Sequence, residues 1–361
     1  MKKFLSLLLC ATLSLSALTG CGGGGSSSSG TGSNSSSTPA GSSSGQESSS
    51  SDSYQLPNLT VLSGPTGVGA AKLMADADAV TSEAIATGEA VPVVNEVSVA
   101  TSNDEVTTAL INGTTDIAAI ATNAAANLYA KSDGAIQVLA INTLGVLYIL
   151  EKGDSVQSMA DLAGKTLYAP SNTKGANPEH ILNYLLEQNG VSPSDVDIQW
   201  LTPQEIMVQL TTSDAGICML PVPAATTLLL KDSGVRQALS LSEEWDKLDA
   251  GPLPMGCIVA RTEYVQENPQ GVEQFLEAYE QSISFMSDPD NLDQAAQLVA
   301  QYGITDNAQI ATVAIPQCNL TFLTGREMRS ALESYYSILF QVEPASIGGS
   351  LPYDSFYYEA G

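Results

Sequence analysis

The chain has 361 residues, with 13 Lys and Arg against 39 Asp and Glu and a single His, for a formal charge of −26. That balance works against nucleic-acid binding, which needs clustered cations to neutralise phosphate, and against a basic patch on anionic lipid. One His removes His-rich metal sites and confines any Ser/His/Asp or Cys/His catalysis to His180, while 43% apolar residues are enough for one large or two ordinary domains.

Lys2 and Lys3 precede an uncharged apolar run from Phe4 to Leu18. A basic end, a short apolar middle and small residues after it are the layout of a secretory signal, and the run is shorter than the roughly 20 residues that span a bilayer. It ends in Leu18-Thr19-Gly20-Cys21, which resembles a bacterial lipobox, so residues 1–20 are expected to be removed and Cys21 to carry a lipid. The alternative is an ordinary signal peptide and a secreted protein. Gly and Ser make up 24 of the 32 residues from Gly22 to Ser53, a composition that buries nothing. Residues 21–53 then read as a flexible tether with a reach of roughly 30 Å. Without Lys2 and Lys3 the charge is about −28.

From Tyr54 the composition is globular. Strands are expected at 59–62, 96–100, 116–120, 136–141, 146–150, 166–169, 198–201, 215–220 and 257–260, with helices at 69–79, 104–111 and 124–130 between the early ones. Asn177-Pro178 places a cap before a first-turn proline, and Ile181, Leu182, Leu185 and Leu186 line one face until Gly190. Asn268-Pro269 repeats the device before Val272, Phe275, Leu276, Tyr279, Ile283 and Met286, and Met328, Leu332, Tyr335 and Leu339 form a further stripe. These stripes read as core. The part after about Pro252 is expected to be helical with one strand. The pattern is α/β with mostly parallel sheets, in two interleaved lobes: 54–143 plus 252–361, and 144–251. The chain leaves the first lobe near Thr143 and returns near Gly256. Two such crossings make a hinge, and ligands in such folds meet the carboxyl ends of strands.

The loop Ser63-Gly64-Pro65-Thr66-Gly67-Val68-Gly69 follows the first strand. Its glycines allow close backbone approach, and free amides at the following helix start favour an anion or an oxygen acceptor; alternatively it is only a tight turn. Its spacing fits neither a P-loop nor G-x-G-x-x-G. Farther on come Asp161-Leu162-Ala163-Gly164-Lys165-Thr166-Leu167-Tyr168, then Gly175-Ala176-Asn177-Pro178-Glu179-His180-Ile181-Leu182 and Gly190-Val191. With Gly113-Thr114-Thr115-Asp116-Ile117-Ala118, Leu220-Pro221-Val222-Pro223, Glu244-Trp245 and Glu267-Asn268-Pro269, this ordered series resembles the solute-binding proteins of ABC importers. The resembling group is the nitrate/sulfonate/bicarbonate one that includes the thiamine-precursor (THI5-like) binders, and it covers Leu59 to Tyr358.

The resemblance implies a two-lobed periplasmic-binding-protein-like fold (type II) closing on one small solute, with an ABC permease and its ATPase as partners. It implies no catalytic residues, no metal and no cofactor. It implies that ligand meets Ser63, Gly64, Pro65, Thr66 and Gly67, the Thr122-Asn123 turn, the crossover at Asn142-Thr143, the loop with Asn172, Thr173, Lys174 and Gly175, and the turn at Pro221. The chain departs from the group in two ways. Val222 stands between the two prolines where many members have an acidic or amide residue, and the Cys-rich motif of the yeast-type pyrimidine synthase is absent.

Ser171-Asn172-Thr173-Lys174 has Ser-x-x-Lys spacing, but no Lys-Thr-Gly accompanies it. His180 is expected as a surface or capping residue. Cys218, Cys257 and Cys318 do not have zinc spacing and read as buried free thiols, with one disulfide as the alternative. The pairs Glu243-Glu244 and Asp288/Asp290 are expected to solvate helix starts. The reading is a monomeric, lipid-anchored receptor on the extracytoplasmic face of a bacterial membrane, touching that membrane only through its lipid. A sensor for a membrane kinase and a pyrimidine-synthase-type enzyme are the alternatives. Replacing Cys21→Ala is expected to move the mature protein out of the membrane fraction, because stable anchoring takes two or more acyl chains; a protein that stays with the membrane would refute the lipobox.

Overall fold

A computed structural model describes residues 55–80 and 92–359. The signal segment, Cys21 and the Gly/Ser tether lie outside the described residues. The chain begins with β1 (Asn58–Leu62), the short α1 (Pro65–Val68) and α2 (Ala71–Ala79). It continues through β2 (Glu96–Ala100), α3 (Asn103–Asn112), β3 (Ile117–Ala121), α4 (Thr122–Lys131) and β4 (Ile136–Thr143). A second group follows: β5 (Leu147–Lys152), β6 (Thr166–Pro170), α5 (Asn177–Gln188), β7 (Asp197–Leu201), α6 (Pro203–Thr212), β8 (Gly216–Pro221), α7 (Ala224–Lys231), β9 (Val235–Ser240) and α8 (Leu241–Asp246). The remainder is β10 (Gly256–Arg261), α9 (Thr262–Glu267), α10 (Pro269–Ser287), α11 (Leu292–Gln301), α12 (Ala308–Ala314), β11 (Leu320–Leu323) and α13 (Gly325–Val342).

The strands form two sheets, of order β11-β4-β10-β3-β1-β2 and β7-β6-β8-β5-β9. Both are mixed, which corrects the expectation of mostly parallel sheets. β1 is parallel to β2 and β3, and β6 to β7 and β8, but β10 runs antiparallel to β3 and β4 and β5 antiparallel to β8 and β9. The reason is geometric. β4 ends where the chain passes to the second sheet, so β5 starts at the end where β8 finishes, with Leu147 opposite Pro221. β10, the first strand after the return, likewise starts at the finishing end, with Gly256 opposite both Ala121 and Thr143. β9 and β11 were not expected. β11 is four residues long and only half-buried, too short for a period-2 pattern to declare itself.

Two apolar layers, each running through both sheets, fill the interior. Residues of β4 and β5 divide between them: Val138 and Ile149 face one layer, Leu139 and Leu150 the other. The helical stripes read from the sequence are buried as expected: Ile181, Leu182, Leu185 and Leu186 on α5, Phe275, Tyr279 and Met286 on α10, and Met328, Leu332, Tyr335 and Leu339 on α13. His180, in the first turn of α5, is buried too, against the expectation of a surface or capping residue. Glu244 is also buried and pairs with Lys247 instead of solvating its helix start.

Within β5, Glu151 is a charged group in an apolar layer. Burial alone would raise its pKa, but Ser155 Oγ (2.6 Å), Ser155 N (2.8 Å), Val156 N (3.1 Å) and Arg236 Nη2 (2.6 Å) all donate to it, and they hold the carboxyl below the usual range. A lowered folded-state pKa gives stability that is present above the unfolded value and lost as pH falls through the folded one. Glu151→Gln is therefore expected to cost about 1–3 kcal/mol in urea unfolding at pH 7. Parent and variant should converge as pH drops below about 4.3, the ordinary Glu value; a gap that persists at pH 2 would contradict the account.

Candidate functional site

The candidate loops stand where β1, β3, β4, β6 and β8 end, at the junction the chain crosses twice. After β1, the amides of Ser63, Gly64 and Gly67 donate to Ala100 O, Ile304 O and Gly64 O, and Pro65 has no amide hydrogen. Two of these donors tie the loop to neighbouring segments and one closes the turn, so these three are not free. The helix expected at 69–79 is α2, and a separate one-turn α1 precedes it, so Pro65, Thr66 and Gly67 belong to a helical turn rather than to a loop. Gly64 has φ 85°, and a side chain at Gly67 would collide with Leu62 O.

Asn142 at the end of β4 is fully buried and organises this corner. Its amide donates to Thr66 O (2.8 Å) and Tyr279 Oη (2.9 Å), and its oxygen accepts from Thr143 Oγ1 (3.2 Å). Both amide hydrogens are consumed, so Asn142 holds α1 in place. Gly256 on β10 lies against the same group; a Cβ there would stand 2.8 Å from Asn142 Oδ1 and 2.9 Å from Thr66 Oγ1. Thr66, Asn142 and Thr143 are therefore brought together, with Tyr279 and Gly256 as members the sequence reading did not place there. The missed signal is the phenol of Tyr279, since a buried Tyr hydroxyl needs a partner.

Thr122 and Asn123 form no turn: α4 begins directly after β3. Thr122 is fully buried, donates its amide to Met255 O (3.1 Å), and its Oγ1 has no hydrogen-bond partner. Asn123 diverges from it and lines a surface groove of about 410 Å³ with Asn103, Asn127 and Lys131. In the second sheet, Thr173 is buried with Oγ1 on Pro170 O (2.6 Å), while Asn172, Lys174 and Gly175 are exposed. Lys174 Nζ sits 5.9 Å from the centre of the Trp200 ring. Gly175 has φ 67° and donates its amide to Glu179. Asn177 is not the cap of α5 but its first residue, after Ala176, and it is buried against Tyr335 and Met255. Pro221 pairs with Leu147 at the crossing, and Val222 is buried, donating its amide to Val146 O (3.1 Å).

Cys218, Cys257 and Cys318 are free and buried, and burial pushes each thiol up to about 12, so none is a thiolate near neutral pH. Among the described residues no group of three or more His, Cys, Asp and Glu could hold a metal ion, and no helix is long and apolar enough to cross a membrane.

Two mixed sheets joined by a double crossing are the architecture of the periplasmic solute-binding proteins. An ABC transporter protein from Parabacteroides distasonis superposes with a TM-score of 0.67 at 22% identity, over 85% of this chain and 99% of that one. The periplasmic aliphatic sulphonate binding protein SsuA from Escherichia coli gives 0.66 at 14% identity, over 86% and 94%. The chain belongs to the NMT1/THI5-like family, whose sequence profile matches residues 93–292. A protein of Brucella abortus (strain 2308) named as a binding protein is 24% identical over 187 residues, 52% of this chain and 56% of that protein. The chain thus matches only about half the length of such curated relatives.

Asn142→Leu keeps the volume and removes the amide, leaving Thr66 O and Tyr279 Oη without their buried partner. It is expected to cost about 1–3 kcal/mol in urea unfolding, and a variant as stable as the parent would show that the corner does not depend on this amide.

Proposed function

We propose that this chain is the extracytoplasmic, lipid-anchored solute-binding component of an ABC import system. Two lobes, 54–143 plus 252–361 and 144–251, close on a small solute and deliver it to the permease and its ATPase without chemical change. The observation that carries this reading is the double crossing: the chain passes between the sheets at 144–146 and again at 241–255, and the strand-end segments of both sheets gather there. The described part of the chain as one body, its family and its fold neighbours support the same reading.

The solute is neutral or heteroaromatic, held by hydroxyl, amide and backbone groups. SsuA is named for sulphonates, which are anions, but three of the four arginines here and Lys72 are committed elsewhere, and the fourth, Arg326, is exposed at the start of α13 outside the candidate ligand segments. Arg236 is bound to Glu151, Arg261 to Asp116 and Glu263, Arg329 to Glu333 and Asp354, and Lys72 to Asp76. Of the candidate ligand residues only Lys174 is charged, and it is exposed beside Trp200.

A thermal-shift panel of sulfonates, nitrate, pyrimidines and small organic cations tests both points, since a ligand at about 100-fold excess over Kd adds roughly 2.7 kcal/mol. A pyrimidine or another neutral solute is expected to raise the melting temperature. With that solute, titration calorimetry of Lys174→Ala should show little loss and little salt dependence, while Thr66→Ala should cost about 1–3 kcal/mol. A loss above tenfold in Lys174→Ala with steep salt dependence, or stabilisation by sulfonates alone, would restore an anionic solute.

A further inference from the structure

The C-terminal helix α13 packs on β4 of the first sheet and also reaches the start of α5 on the second. Two consecutive tyrosines make the two contacts. Tyr336 Oη donates to Thr122 O (2.9 Å), at the start of α4. Tyr335 Oη donates to Asn177 Oδ1 (2.7 Å), at the start of α5. Both tyrosines are fully buried and Asn177 is 5% exposed. The direction of the second bond is set by chemistry: an amide oxygen can only accept, and burial keeps the phenol well above its usual pKa, so Tyr335 remains a donor.

Aromatic contacts carry the same helix across the junction. Tyr184 of α5 lies 5.4 Å from Trp245 of α8, Trp245 lies 6.0 Å from Tyr335, and Tyr335 lies 5.7 Å from Tyr336. Tyr336 meets Phe356 at 6.1 Å, which meets Tyr129 of α4 at 4.9 Å. The return crossing is tied in as well: Ser334 Oγ donates to Ala250 O (2.6 Å) and Trp245 Nε1 to Gly251 O (3.0 Å). The Tyr335–Asn177 bond thus joins a helix packed on the first sheet to a helix of the second, inside a continuous aromatic row. Moving the two sheets apart acts on this bond, because each partner's helix packs with a different sheet.

We infer that Tyr335 and Asn177 form a latch that holds the two lobes together before a solute arrives, with α13 as its arm. The inference rests on the reading of these sheets as closing lobes. It assigns Tyr335 and Asn177 a positioning role: they set the population of the open form, and through it the rate at which solute enters and leaves. Removing the latch raises the open population, so it speeds association and dissociation together.

The test needs no solute. The whole chain carrying Cys21→Ala, and hence lacking the lipid, is compared with added Tyr335→Phe, with Asn177→Leu and with both, by small-angle scattering and by hydrogen exchange over 144–146 and 249–255. Each single variant is expected to enlarge the radius of gyration and to raise exchange about three- to tenfold, the population ratio one buried hydrogen bond controls. The double variant should do no more than either single one, because both remove the same bond. A hydrogen bond with a merely structural role would lower the unfolding midpoint and leave both readouts at the parent's values, and that result would overturn the latch. Should Tyr335→Phe not fold, Asn177→Leu alone decides, by the same readouts. Failure of the receptor reading is distinguishable: the latch variants would open while no solute in the panel raised the melting temperature.

Discussion

The structure depends on one constraint of direction. A strand that enters a sheet from the other sheet must start at the end where the βαβ strands finish. β5 and β10 are the two entering strands, and both run against their neighbours. This brings the two crossings side by side, and Gly145 shows how closely: a side chain there would collide with Ser242 Oγ and stand 3.0 Å from Leu253 Cδ2, both on the return segment. Asn319, just before β11, secures the outward crossing by accepting from Leu144 N (3.0 Å) and donating to Gly145 O. Gln317 reaches the second sheet, accepting from Tyr148 Oη (3.1 Å) and hydrogen-bonding Thr226 Oγ1 (3.2 Å) through its side chain. Residues far apart in sequence are thereby committed to one narrow junction.

That junction explains why so many polar side chains are buried near it. Asn142, Thr143, Thr122, Asn177 and Thr226 are all nine-tenths or more buried. A buried amide or hydroxyl is costly unless it is partnered. Asn177 and Thr226 find theirs across the junction, in Tyr335 and Gln317, and Asn142 finds its own in Thr66 and Tyr279, so these hydrogen bonds also fix the relative position of distant segments. The unpartnered Thr122 Oγ1, against the Cys257 strand, is the exception among them. Charge is handled differently. Arg236, Arg261 and Arg329 pair with carboxylates and leave the strand-end segments nearly neutral, although the chain as a whole is strongly acidic.

Much of the candidate site was legible because it sits at strand ends, and strand ends follow from local pattern. β1, β3, β4, β6 and β8 were all expected within a few residues of where they lie, so the segments after them could be named. What each segment does was not legible. Asn142 and Thr143 look like ligand-facing polar residues in the sequence, yet their hydrogen bonds go to Thr66, Tyr279 and each other. Tyr279 and Tyr335 look like core members of apolar stripes, which they are, but their hydroxyls carry the contacts that matter. Periodicity records which face of a helix is buried and is silent about the atom at the tip of the ring.

By itself the sequence determined the order of α and β elements, the helical stripes that became core and the acidic surface. These are local or compositional properties, decided by neighbours three or four residues away or by counting charges. Only the tertiary structure decided that the sheets are mixed, that a one-turn α1 precedes α2, that His180 and Glu244 are buried, and that Tyr335 meets Asn177. These depend on how elements distant in sequence pack together, or on the end from which a strand enters its sheet, and no local pattern encodes either.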